Sequence, residues 1–121
     1  MSRKKVMVVE DDLTMVNLLK TLLKMEGFEV VALDPDSDVV KAVSGNCPDV
    51  LLMDVHLPQQ NGLDILDSMR KPDRACKTRI IMISGLNVQE ECMKRGADGF
   101  LLKPFMPDDL IQMLKGDVQT L

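Results

Sequence analysis

The chain has 121 residues, a length typical of one domain folded around a single core. Hydrophobic residues make up 45% and charged residues 28% of the chain, which excludes general disorder. A net charge of −4, with no basic run beyond residues 3–5, argues against a nucleic-acid or anionic-membrane surface. Because the only aromatic residues are three Phe, a cofactor that stacks on aromatic rings is disfavoured.

Cysteine spacing and the N-terminal segment indicate the compartment. Cys47, Cys76 and Cys92 are far apart and form no Cys-x-x-Cys motif, so we expect reduced thiols rather than a zinc knuckle or a disulfide framework. The first apolar run, residues 6–9, stops at Glu10, far short of a signal segment or a membrane span. We therefore expect a cytoplasmic protein without membrane contact.

Short apolar runs alternate with helical patterns along the chain. The runs predict strands at residues 6–9, 30–33, 50–53, 79–83 and 99–102. The first helix is predicted from Leu13 to Met25, with Met15, Leu18, Leu19 and Leu22 at helical spacing. The second is predicted to begin at an N-cap of Asp36 or Ser37 and to end before Gly45. The later helices are predicted after a loop with Pro58 and Gly62, before Gly96, and around Asp108 and Asp109.

This alternation predicts the fold class. Five repeats of strand then helix, with every strand an apolar run, predict an α/β fold with right-handed crossovers and a parallel sheet. Five strands are too few to close a (β/α)8 barrel, so we expect an open, doubly wound sheet. We expect one domain over residues 1–121, with no output domain.

Polar residues, and one glycine, follow four of the predicted strands. They are Glu10, Asp11 and Asp12 after the first strand, Asp54 after the third, Ser84 and Gly85 after the fourth, and Lys103 after the fifth. Parallel sheets bind ligands at the carboxyl ends of their strands, so these groups converge. Carboxylates gathered there repel one another unless a cation lies between them, and Mg²⁺ accepts a few carboxylates together with a phosphate oxygen. An amine and a hydroxyl can then contact the remaining phosphoryl oxygens.

With these pieces in order, the whole chain resembles the receiver domains of two-component response regulators. The resemblance rests on the acidic cluster at residues 8–12, the segment 51–58 followed by Asn61-Gly62, the step at 83–85, and the segment 99–105. It implies an open five-stranded (βα)5, flavodoxin-like fold. The site roles that it implies are the phosphoacceptor for Asp54, metal binding for Glu10, Asp11, Asp54 and the backbone carbonyl of His56, phosphate binding for Lys103, and switching for Ser84 and Phe100.

The resemblance also implies a mechanism and partners. Asp54 would attack the phosphoryl group of a phosphohistidine on a sensor histidine kinase or a histidine phosphotransfer protein, with Mg²⁺ or Mn²⁺ as the cofactor. The aspartyl phosphate would recruit Ser84 and Lys103, let Phe100 turn inward, and change the face made by the fourth helix, fifth strand and fifth helix, where a downstream protein binds. Such a domain is a signalling phosphoacceptor that at most catalyses its own phosphorylation and dephosphorylation. We expect no direct contact with nucleic acid.

Two assignments keep an alternative. The metal pair could be Asp11 and Asp12 instead of Glu10 and Asp11, although Asp12 suits the N-cap of the first helix. Phe100 could be an ordinary core residue, as aromatic residues in strands often are.

His56 is the only histidine, and its simplest interpretation is an exposed loop residue. A second hypothesis is that His56 and Leu86 flank the site and control the access of water to the acyl phosphate.

The alternative function is a receiver-like interaction module that works without phosphorylation. An aspartyl-nucleophile hydrolase is less favoured because His56 stands where its second acid would be, and a flavodoxin is less favoured because acidic residues would repel its phosphate.

Overall fold

The computed structural model describes residues 3–71 and 76–115, and within them it shows one five-stranded sheet. The strands are β1 (Lys5–Val9), β2 (Glu29–Leu33), β3 (Val50–Asp54), β4 (Arg79–Ser84) and β5 (Gly99–Leu102). Their order is β2-β1-β3-β4-β5, and every neighbouring pair is parallel. The predicted open parallel sheet is confirmed.

A helix follows each strand. The helices are α1 (Leu13–Met25), α2 (Val39–Asn46), α3 (Gly62–Met69), α4 (Gln89–Lys94) and α5 (Pro107–Lys115). None of the helices in the described part of the chain is long and apolar enough to cross a bilayer.

Two apolar cores cover the two faces of the sheet. Alternate residues of β1 enter different cores, because successive side chains of a strand point to opposite faces. Val6 and Val8 pack with α1 and α5, whereas Met7 and Val9 pack with α2, α3 and α4. The helices therefore lie on both faces, and the doubly wound arrangement is confirmed.

The predicted start and end of α2 were wrong. Asp38 is the N-cap, and its side chain accepts a hydrogen bond from the Lys41 N–H at 3.1 Å. Asp36 and Ser37 lie in a preceding turn, in which the Ser37 N–H donates to the Asp34 carbonyl at 2.9 Å. Gly45 lies inside α2, which continues to Asn46.

Two apolar patterns also differ from the prediction. In α1 the buried side chains are those of Val16, Leu19 and Leu23, whereas Leu18 is 55% exposed. The apolar run in β2 does not give full burial, because β2 is an edge strand and its residues are half-buried or exposed. The apolar pattern of the sequence does not show which strand lies at the edge of the sheet.

The expectation of three reduced thiols was wrong as well. Cys47 and Cys76 form a disulfide with their Cα atoms 5.3 Å apart, and Cys92 is a free, buried thiol. Cys47 and Cys76 each lie three residues before Val50 and Arg79, which are partners in the register of β3 and β4. Equal offsets from paired residues bring two thiols together that are far apart in the sequence.

Candidate functional site

Two buried carboxylates lie at the carboxyl edge of the sheet. Glu10 directly follows β1 and is 2% exposed, and Asp54 is the last residue of β3 and is 5% exposed. β1 and β3 are neighbours, which places the two side chains side by side. Burial of two acids in one place requires positive partners.

The chain around Glu10 holds its carboxylate in place. Oε2 accepts hydrogen bonds from the backbone N–H groups of Asp11, at 2.9 Å, and Asp12, at 3.2 Å. Burial raises the pKa of the Glu10 carboxyl above its ordinary value, although the hydrogen bond from Lys103 opposes the shift. Proton loss from Glu10 is therefore harder than from an exposed glutamate.

Lys103 bridges the two acids. It follows β5 directly, and its Nζ donates to Glu10 Oε1 and to Asp54 Oδ2, at 2.6 Å in each case. Its backbone N–H donates to the Ser84 carbonyl at 2.8 Å, and a cis peptide bond joins it to Pro104. Burial lowers the pKa of the Lys103 amine, but the hydrogen bonds to Asp54 and Glu10 outweigh burial and raise the pKa above its ordinary value. Lys103 is therefore a fixed cation at the site.

The Asp54 carboxylate is fixed at both oxygens. Oδ1 accepts a hydrogen bond from the His56 backbone N–H at 2.7 Å, and Oδ2 accepts from Lys103. Gly62 lies against the same segment, because a Cβ built on it would be 2.6 Å from the Asp54 carbonyl oxygen and 2.8 Å from the Val55 Cα. Any side chain at Gly62 would force the start of α3 away from the end of β3.

The donor set suits a hard divalent cation. Glu10, Asp11 and Asp54 can each offer a carboxylate oxygen, and these three atoms lie within 4.8 Å of one another. Carboxylate oxygens at this spacing are the ligands that Mg²⁺ and Mn²⁺ prefer. The Asp12 side chain caps α1 by accepting from the N–H groups of Thr14 and Met15. The structure therefore groups Glu10 and Asp11 with Asp54, rather than Asp11 and Asp12.

Ser84 and Phe100 lie on the adjoining strands. Ser84, the last residue of β4, is fully buried, and its Oγ accepts a hydrogen bond from the Leu86 N–H at 3.0 Å. Phe100 on β5 is 6% exposed and packs in the core beside Met82, its register partner on β4. Phe100 therefore serves as a core residue in this structure. Its side chain also lines a cavity of about 240 Å³ with Leu102 and Phe105.

The side chains flanking this edge are open to solvent. His56 is exposed and Leu86 is 62% exposed, one after β3 and the other after β4. Both can therefore meet a molecule that approaches the edge, as the hypothesis of water control requires.

Sequence reasoning missed one residue that supports the site. Gln60, in the loop after β3, donates through Nε2 to the carbonyls of Pro35 at 2.9 Å and Ser37 at 2.7 Å. These bonds tie the loop that carries His56 to the loop after β2. A polar residue in a loop gives no sequence signal for such a contact.

Comparisons with known proteins identify the family of the chain. The protein-family model of the response regulator receiver domain matches residues 6–115 of the sequence. The chain belongs to the response regulator receiver family. It is therefore a signalling domain of the two-component type, and phosphoryl transfer to an aspartate is typical of its family.

Individual relatives support the assignment. The transcriptional regulatory protein CpxR of Klebsiella pneumoniae is 33% identical over 114 residues, which cover 92% of this receiver chain and 47% of that protein. The DNA-binding response regulator MtrA of Mycobacterium leprae is 28% identical over 116 residues, which cover 93% of this chain and 50% of that protein. The chain thus spans about half the length of these relatives.

A solved structure shows the same fold. The chemotaxis response regulator CheY4 of Vibrio cholerae superposes with a TM-score of 0.85, covering 97% of this chain and 100% of that one. Its sequence identity is 24%, so the likeness concerns the receiver fold.

Proposed function

We propose that Asp54 is the phosphoacceptor of this receiver domain. The observation that carries the proposal is the Lys103 amine, which contacts Asp54 and Glu10 together at the carboxyl edge of the sheet. A carboxylate fixed at both oxygens beside a cation is oriented for attack, and the same cation can then contact the transferred oxygens. At most, the domain catalyses its own phosphorylation and dephosphorylation.

The proposed cofactor is Mg²⁺, or Mn²⁺ in its place. Glu10, Asp11, Asp54 and the backbone carbonyl of His56 would hold the ion. The close grouping of the three carboxylates supports this ligand set. When bound, the ion supplies positive charge that offsets the negative charge of the transferred phosphoryl group.

The proposed reaction is phosphoryl transfer from a phosphohistidine. An Asp54 carboxylate oxygen forms a bond to phosphorus, the bond between phosphorus and the histidine nitrogen breaks, and the nitrogen keeps the electron pair and takes a proton. Lys103 binds an oxygen of the product, and the Ser84 hydroxyl donates a hydrogen bond to another.

The proposed switch passes from Ser84 to Phe100. Ser84 lies at the end of β4, and its movement toward the phosphate would change the packing of β4 against β5, where Phe100 lies. Phe100 is already buried, so phosphorylation would hold its side chain in this inward conformation and depopulate its other conformations. The cavity beside Phe100 reaches Leu102, which is 44% exposed on the face of α4, β5 and α5. A downstream protein would bind there.

The proposed phosphoryl donors are a sensor histidine kinase or a histidine phosphotransfer protein, and the proposed compartment is the cytoplasm. We also propose that the 121-residue chain acts as one receiver domain that makes no direct contact with nucleic acid. MtrA is named as a DNA-binding regulator, and this chain spans 50% of it. The proposal therefore concerns the receiver domain and not the DNA binding of longer relatives.

Intact-mass spectrometry after incubation with acetyl phosphate and Mg²⁺ tests the phosphoacceptor. We expect one phosphoryl adduct on the wild type, none on Asp54→Asn, and none when EDTA is added. Asp36→Asn is the matched control, because Asp36 is also an aspartate but is exposed and away from the acidic cluster. An adduct that persists in Asp54→Asn would place the phosphoacceptor elsewhere. No adduct on the wild type, with Mg²⁺ binding shown separately, would favour an interaction module that works without phosphorylation.

A further inference from the structure

The disulfide lies at the opposite edge of the sheet from the acidic site. Cys47 is the C-cap of α2, and Cys76 stands shortly before β4. The Cα atoms of Cys47 and Cys76 are 5.3 Å apart, which falls within the ordinary range for disulfides. The fold therefore holds the two residues at bonding distance, and the family site does not use them.

Solvent reaches the pair. Cys47 is exposed and Cys76 is half-buried, in contrast to Cys92, which is fully buried. Exposed disulfides are the ones that small thiols can attack, whereas buried thiols are inert. Accessibility thus distinguishes this pair from the third cysteine.

The surface around the pair is basic. Cys47 lines a cavity of about 340 Å³ together with three cationic residues, Lys4, Lys77 and Arg79, and one acidic residue, Asp49. Cys76 lines a neighbouring cavity of about 280 Å³, where the cationic residues, Lys77 and Arg79 among them, outnumber the one acid, Asp98. Cations around an accessible sulfur attract anionic reagents, so the preferred reagent is a small thiol or disulfide that carries carboxylates.

We propose that Cys47 and Cys76 are a reversible redox modification site that exchanges with a small anionic disulfide of the glutathione class. The Cys47 thiolate attacks one sulfur of the small disulfide, which forms a mixed disulfide and releases one small thiolate. The Cys76 thiolate then attacks Cys47 Sγ, which forms the protein disulfide and releases the second small thiolate. Two protein thiols become one disulfide, and one small disulfide becomes two small thiols, so atoms and electrons balance.

The bond encloses a particular part of the chain. Cys47 and Cys76 are 29 residues apart, and the residues between them include β3, Asp54 and α3. A bond across a loop of this length restricts the unfolded chain and stabilises the fold. Oxidation would therefore stabilise the fold against unfolding without a new contact at the acidic site. The redox proposal does not depend on phosphorylation of Asp54.

Thiol trapping in glutathione buffers tests the proposal. The 121-residue chain is equilibrated at varied ratios of reduced to oxidised glutathione, quenched with acid, unfolded and alkylated, and its mass is measured. We expect three alkylated cysteines at the reducing end and one, Cys92, at the oxidising end, with a reversible transition between them. A protein that carries three labels at every ratio, or one label at every ratio, would overturn the proposal, because the pair would then be either unable to form or permanent.

Thermal unfolding gives an independent readout. We expect the melting temperature of the wild type to fall by about 10 °C when the disulfide is reduced. The variant Cys47→Ser with Cys76→Ser should show no redox-dependent shift, and Cys92→Ala should keep the full shift because it leaves the pair intact. A wild-type melting temperature that is the same in both redox states would contradict the stabilising role. Neither measurement involves acetyl phosphate, so failure here is distinct from failure of the phosphoacceptor proposal.

Discussion

Replacing Lys103 with methionine tests the electrostatic account of the acidic site. The substitution keeps most of the side-chain length and removes the amine that contacts Glu10 and Asp54. Both acids are almost fully buried, at 2% and 5% exposed, so they would face each other without a cation. We expect a clear loss of stability in the protein without divalent metal.

The size of the loss follows from the burial of the partners. Removing one member of a buried ion pair destabilises a protein by 3–5 kcal/mol, and the Lys103 side chain is 25% exposed, so water relieves part of the effect. We therefore expect a loss of about 3 kcal/mol in the free energy of unfolding at neutral pH, or about 1.5 M in the urea midpoint. Burial raises the pKa of Glu10, so the loss should shrink as the pH falls toward that pKa and Glu10 takes up a proton.

The assay is urea unfolding in EDTA and in excess Mg²⁺. Mg²⁺ should restore more stability to Lys103→Met than to the wild type, because it supplies the missing positive charge between the acids. Lys41→Met is the matched control, since it removes the same charge from an exposed position on α2. Equal losses for Lys103→Met and Lys41→Met would refute the argument, and so would a loss that does not change with Mg²⁺.

Three further predictions concern packing, a structural ion pair and a buried thiol. Gly62→Ala should lower stability by about 2 kcal/mol in thermal unfolding, because its Cβ would meet backbone atoms. Gly45→Ala inside α2 is the control: its Cβ would meet nothing within 4 Å, so it should raise stability by about 0.5 kcal/mol. Arg70 donates to the Gly96 and Thr78 carbonyls and forms an ion pair with Asp98. Arg70→Met should therefore lower the free energy of unfolding by about 2 kcal/mol in urea, and an unchanged value would contradict a stabilising role for these contacts. Burial raises the pKa of the Cys92 thiol above its ordinary 9.0, so native Cys92 should resist alkylation at pH 8. The stability that the protonated thiol contributes should be full below pH 9.0 and should be lost as the pH rises through the folded pKa. Rapid labelling of the native protein at Cys92 would show that the thiol is not buried.

The sheet and the site were predictable because each follows from local pattern. The strands are short apolar runs, and a parallel sheet puts the residue after each run at the same edge, so Glu10, Asp54, Ser84 and Lys103 could be grouped without coordinates. The hydrogen bonds of Lys103 to both acids were not predictable, since they depend on side-chain conformation. The N-cap of α2 was misplaced because Asp36, Ser37 and Asp38 are all good N-cap residues, and only the preceding turn decides between them.

The disulfide was missed because sequence spacing contains no information on register. Cys47 and Cys76 become neighbours only once Val50 is known to pair with Arg79 across β3 and β4. With that pairing, the equal offsets of the two cysteines would have indicated the contact. Gln60 was missed for a similar reason, because its partners at Pro35 and Ser37 belong to the loop of another strand.

The acidic site and the disulfide lie at opposite ends of β3. Asp54 ends β3, and Cys47 lies before its start, so the length of β3 alone puts about 15 Å between the acidic site and the disulfide. In the described part of the chain, the side chains of Glu10, Asp54 and Lys103 form hydrogen bonds with one another and with the backbone N–H groups of Asp11, Asp12 and His56. Groups without shared partners at this distance act nearly independently. Oxidation of the cysteines should therefore raise the free energy of unfolding, while the charges that orient Asp54 stay as they are.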